Sequence, residues 1–144
     1  LQAKGFLDRQ EQGLARGLTL TSGRDLPILG RVGAGSGVIA QEDVEGRFAF
    51  KDFTLGTDYL LRVRGDSMTG AGIMEGDLVQ VRRQPTADDG DIVVALAGEE
   101  GVVKRLKRRG RDYLLESANP RYSPIATDFQ VIGKVVGLVR RYAP

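Results

Sequence analysis

Residues Ile92–Glu116 read IVVALAGEEGVVKRLKRRGRDYLLE, and the fold class follows from this stretch. Three runs with strand character, Ile92–Ala97, Val102–Arg108 and Tyr113–Glu116, are broken at Ala97-Gly98-Glu99 and at Arg109-Gly110-Arg111. Short β-prone runs broken by glycine are the signature of strands joined by tight turns. The pattern extends outward. Further strands are predicted at Leu26–Val32, Arg47–Phe53, Tyr59–Val63, Leu78–Arg83 and Val131–Arg140, with turns at Glu75-Gly76-Asp77 and Asp88-Asp89-Gly90-Asp91. Many short strands at close spacing predict a mostly β domain. One short helical turn is predicted near Ser67–Ala71, with Asp66 or Ser67 as its N-cap.

The 144 residues are 41% apolar and 28% charged, a globular balance rather than a disordered one. A net charge of +2 is not the field of a free-standing DNA-binding module. The chain has no cysteine and no histidine. That removes disulfides and thiolate metal sites and is compatible with a reducing cytosol. No metal and no cofactor is expected, since a zinc site would have to be built from carboxylates alone. No apolar run approaches the ~20 residues that cross a bilayer, so no membrane contact is expected. Residues 1–25 are glycine-interrupted and weakly patterned and read as linker; 26–144 read as one domain. Because it begins at Leu1, the chain is expected to be a fragment.

Without imidazole or thiol, hydrolytic chemistry has one familiar arrangement left: a serine activated by a neutral lysine. Lys104 fits the base. In a strand, Val102, Lys104 and Leu106 share a face, while Val103, Arg105 and Lys107 share the other. Lys104 is therefore the cation of this basic run that alternation points at the core. It either snorkels its ammonium to water or is buried and loses affinity for its proton. An exposed lysine is about one part in a thousand neutral at pH 7.4, so burial would supply the free base. Ser67, in Arg64-Gly65-Asp66-Ser67-Met68, follows a strand and sits where backbone N–H groups are unpaired. Taken alone, it suits a plain N-cap better than a nucleophile.

Other motifs carry less. Gly33-Ala34-Gly35-Ser36-Gly37 has Val38 where a dinucleotide fingerprint needs its third glycine, and Gly30-x4-Gly35 lacks the lysine of a phosphate loop. What remains is a small loop able to enter a narrow cleft, or an ordinary hairpin loop. Asp88-Asp89-Gly90-Asp91 lacks calcium-loop spacing. The basic run Lys104–Arg111 has no interleaved aromatic and reads as a solvated face.

Four ordered segments resemble the LexA-type repressor family. Leu26–Gly35 resembles its cleavage region. Arg62–Met68, followed by Gly72–Val79, resembles its nucleophile segment. Val102–Leu106 resembles its lysine strand, and Asn119–Ile125 a loop late in the domain. The resemblance spans about residues 26–140 and implies a signal-peptidase-like β fold. It implies Ser67 as nucleophile, Lys104 as general base, the Ala34–Gly35 bond as the one cut, and backbone N–H groups of Asp66 and Ser67 as oxyanion hole. It further implies stimulation by a RecA–single-stranded-DNA filament, a homodimer, cytoplasmic location and derepression of DNA-damage genes. Operator DNA would be bound through an N-terminal winged helix-turn-helix domain that this sequence lacks; residues 1–20 resemble only its tail and linker. Two alternatives stand beside this: a UmuD-type accessory protein of a translesion polymerase, and a non-catalytic dimerisation module. A membrane-bound signal peptidase is disfavoured by the lack of an anchor.

Overall fold

Alternation along each strand sends neighbouring side chains to opposite faces, and here both faces find cores. In the computed structural model, which describes residues 25–32, 43–49 and 56–142, eight strands form one sheet. They are β1 (Asp25–Leu29), β2 (Val44–Ala49), β3 (Tyr59–Arg62), β4 (Leu78–Arg83), β5 (Ile92–Ala97), β6 (Glu100–Arg109), β7 (Asp112–Glu116) and β8 (Phe129–Val139). Their spatial order is β2-β1-β3-β4-β8-β5-β6-β7. All pairs are antiparallel except β1 with β3. The fold is mostly β, as the sequence predicts.

One face carries the largest core: Leu29, Tyr59, Leu61, Val63, Met68, Ile73, Val79, Val81 and Val94. The intervening residues serve the other face. Leu26, Ile28, Leu60 and Leu78 pack at one end, and Val93, Ala95, Leu106 and Leu115 at the other. β5 is thus buried on both sides, which is why its sequence is a continuous apolar run rather than an alternating one.

Two hairpins build the stretch from which the fold was read. β5 pairs Ala97 with Glu100 across Gly98-Glu99, and β6 pairs Arg109 with Asp112 across Gly110-Arg111. Glycine opens each two-residue loop at positive φ, +66° and +64°, the conformation that such a loop demands of its first residue and that a Cβ resists.

Two elements differ from expectation. β2 begins at Val44, three residues before the predicted start. Pairing with β1, including the irregular register at Ile28/Leu29 that sets Leu29 opposite Val44, extends the strand through Gly46. The helical turn is a three-residue 3-10 turn, Thr69–Ala71, whose N-cap is Met68 with no side-chain cap bond. Ser67 is not its cap. The predicted linker, residues 1–25, lies outside the described residues except for Asp25. Among the described residues, no helix is long and apolar enough to cross a membrane.

Candidate functional site

Ser67 leaves the end of β3 by way of Gly65, which takes φ +78°. The turn that carries it is held from three directions. The Asp66 carbonyl accepts hydrogen bonds from the Asn119 side-chain amide (2.9 Å) and the Thr69 hydroxyl (3.2 Å). The Asp66 carboxylate accepts from the Tyr122 hydroxyl and pairs with Arg121 at 3.3 Å. The Gly70 N–H donates to the Ala118 carbonyl at 2.6 Å. Any Cβ at Gly70 would run into that carbonyl oxygen, so only glycine allows this approach. Below the turn, Asp77 is 1% exposed and accepts from Arg140 at 2.7 and 2.8 Å and from the Met74 N–H at 2.8 Å. Arg140 also donates to the Gly72 carbonyl.

Lys104 lies on β6, opposite Val93 of β5. Its neighbours on that face, Val102 and Leu106, belong to or pack against the same core as Val93, as the alternation predicts. The side chain is half-buried, and its amine donates to Ser117 Oγ at 2.8 Å. The Tyr122 ring lies beneath it, 5.5 Å from nitrogen to centroid. Burial pushes the Lys104 pKa down, and the Glu100 carboxylate opposes this in part. The hydrogen bond from Tyr122, more than the charge of Arg121, holds the Asp66 carboxyl below its ordinary range, and the same bond raises the Tyr122 phenol.

One loop, residues 117–122, therefore touches both predicted catalytic segments. Ser117 and Tyr122 meet the lysine; Ala118, Asn119, Arg121 and Tyr122 meet the serine turn. Asn119 suits its place because its amide nitrogen donates to Asp66 while its amide oxygen accepts from the Arg121 N–H; a carboxylate could do only the second. The amine's hydrogen bond goes to Ser117, not Ser67. Among the described residues, the backbone N–H of Ser67 donates no hydrogen bond, while that of Asp66 helps to hold its own carboxyl below the ordinary range. Ala34 and Gly35 lie outside the described residues. The segment leading to them does not: the carbonyl of Val32 lies against β6 at Gly101, where an added Cβ would collide with it. β6 is paired with β7 only from Arg105 onward, so its edge at residues 100–104 faces this approach. Among the described residues, no group of three or more metal-ligating side chains occurs.

Sequence reasoning missed Ser117. The signal was present in the hairpin register. With Arg109 opposite Asp112 and Arg105 opposite Glu116, one further step sets Lys104 opposite Ser117. It also missed the joint role of Asn119 and Tyr122, which needs the tertiary fold.

A mostly β sheet with a serine turn and a half-buried lysine joined by one loop defines a class, and comparison with known proteins assigns it. Residues 27–136 match the Peptidase S24-like family, and the chain belongs to that family. Its relatives there include the LexA repressor of Azoarcus sp. (strain BH72), 44% identical over 147 residues that cover 97% of this chain and 72% of that protein. The LexA repressor of Dechloromonas aromatica (strain RCB) is 44% identical over 90% of this chain and 68% of its own length. That of Oleidesulfovibrio alaskensis is 42% identical over 97% and 74%.

Proposed function

We propose that this chain is the self-cleaving part of an SOS-response repressor, and that it cuts its own Ala34–Gly35 bond with Ser67 and Lys104. The observation that carries the reading is the 117–122 loop, which bonds to the Ser67 turn at Asp66 and to the Lys104 amine. Neutral Lys104 takes the Ser67 proton as Oγ attacks the Ala34 carbonyl carbon. The N–H groups of Asp66 and Ser67 receive the developing oxyanion. The proton passes to the Gly35 nitrogen, the peptide bond breaks, and water releases Ala34 from the ester. A RecA–single-stranded-DNA filament acts by selecting the state in which the cleavage segment is docked. The cut separates a DNA-binding domain from the domain that forms the homodimer, and repression ends.

Incubating the purified chain at alkaline pH and weighing the products tests this. Two fragments split after Ala34 are expected. An intact chain would point instead to a non-catalytic module.

The approach of Val32 to β6 gives a second prediction. Gly101→Ala places a Cβ where the Val32 carbonyl lies, so the segment must move off the β6 edge. Self-cleavage is expected to slow about tenfold, since small misplacement of a reacting bond is costly. The melting temperature should hold, because alanine is no worse than glycine in a strand. An unchanged rate would mean that the cleavable state does not use this contact.

A further inference from the structure

We propose that Ser117 is a positioning residue for Lys104, its hydroxyl oxygen fixing the amine so that the nitrogen lone pair is presented to Ser67. This inference rests on the reading of Lys104 as general base. A lysine amine ends a flexible four-carbon stem, and little in the strand itself determines where it points. Ser117 removes that freedom. It lies one register step past the last β6–β7 pair, directly across from Lys104, with Oγ 2.8 Å from the amine.

The oxygen is itself held in place. The next residue, Ala118, accepts the Gly70 N–H, and Asn119 donates to the Asp66 carbonyl. The acceptor for the amine and the turn that carries the nucleophile are therefore parts of one bonded unit, three residues long on the loop side. A movement of the Ser67 turn carries the Ser117 oxygen with it.

The bond also suits both protonation states. An ammonium has three N–H donors, and a neutral amine keeps two and gains a lone pair. Ser117 Oγ accepts one N–H in either state. In the neutral state the lone pair then points away from Ser117, and the Tyr122 ring closes another side. The charged and titratable groups around the amine are Glu100 on its own strand and, from the loop, Tyr122 with its partners Asp66 and Arg121. None of these supplies a second hydrogen-bond acceptor for the amine among the described residues.

The test compares the parent chain with Ser117→Ala, Ser117→Thr and Lys104→Ala, each followed by self-cleavage rate against pH, with melting temperature as the check on folding. The lysine titration is read separately by NMR in a non-cleaving Ser67→Ala background. Ser117→Ala is expected to lower the plateau rate about tenfold, the scale of one hydrogen bond to a charged group. Its midpoint should move toward acid, because the ammonium loses an acceptor while its desolvation remains. Ser117→Thr, which keeps the hydroxyl, should restore the rate to within about twofold. A structural loosening that admits water would move the midpoint the other way.

The proposal is overturned if Ser117→Ala cleaves at the parent rate with an unmoved midpoint. It is equally overturned if that variant cleaves faster, which would make the bond a resting-state trap. If Lys104→Ala cleaves like the parent, the assignment of the base falls and this inference falls with it. If Lys104→Ala is inert and Ser117→Ala is normal, only the role of Ser117 falls.

Discussion

Lys104→Ala is expected to lower self-cleavage at Ala34–Gly35 by at least about a thousandfold, the range in which a general base acts. Ser67→Ala should be as inert, and the double variant no worse than either, because a nucleophile and its base act as one unit. Fold should survive both. Lys104→Ala should melt no lower than the parent at neutral pH, since it removes a charge whose burial disfavours it. The linkage is explicit: the native Lys104 pKa lies below the unfolded value, so the unfolded chain binds more protons between the two and stability rises with pH across that window. The cleavage rate should climb about tenfold per pH unit below the native Lys104 pKa, then level off short of the ordinary lysine value of about 10.4. Glu100→Gln should move the profile toward acid, because Glu100 favours the charged lysine. A rate that is flat from pH 7 to 10 would rule out lysine as the base.

Arg140→Ala is expected to produce a large loss of stability. Asp77 is buried, Arg140 is partly exposed, and the arginine donates two hydrogen bonds to the carboxylate. Removing the arginine strands a buried carboxylate, whereas removing the aspartate leaves a guanidinium that water can reach. Asp77→Ala should cost about 2 kcal/mol, or roughly 8 °C in melting temperature. Arg140→Ala should cost more. The bonds from Arg140, ahead of the other causes, hold the Asp77 pKa below its ordinary value. Its contribution is therefore complete above the unfolded pKa near about 4 and is lost as pH falls through the native one. The gap in melting temperature between parent and Arg140→Ala should be full at neutral pH and shrink below that point. A gap unchanged at pH 3 would mean that the pair is not its source.

Local signals made most of the fold legible. Alternation and glycine turns located all eight strands, and those of β4 and β5 to the residue, because in each case neighbouring residues serve two cores. The start of β2 was set three residues late because Gly46 interrupts its pattern and only its partner strand continues it. For the site, alternation placed Lys104 on the face of Val102 and Leu106, but it could not say where a long side chain ends. The destination, Ser117, is an unremarkable serine until the β6–β7 register is counted. The loop from Asn119 to Tyr122 was recognisable by resemblance. That its amide and phenol hold the Asp66 turn depends on contacts more than 50 residues apart in sequence, |i−j| of 53 and 56, which no local pattern encodes.

The central place of β8 has a consequence for timing. The serine belongs to the β1–β4 half and the lysine to the β5–β7 half, and among the described strands β8 alone pairs with a strand of each, β4 and β5. A chain leaving the ribosome makes the two halves before the strand that joins them. Until that strand is threaded between its neighbours, Ser67 and Lys104 sit on separate pieces of sheet, so the self-cleavage proposed above is expected only of a finished domain.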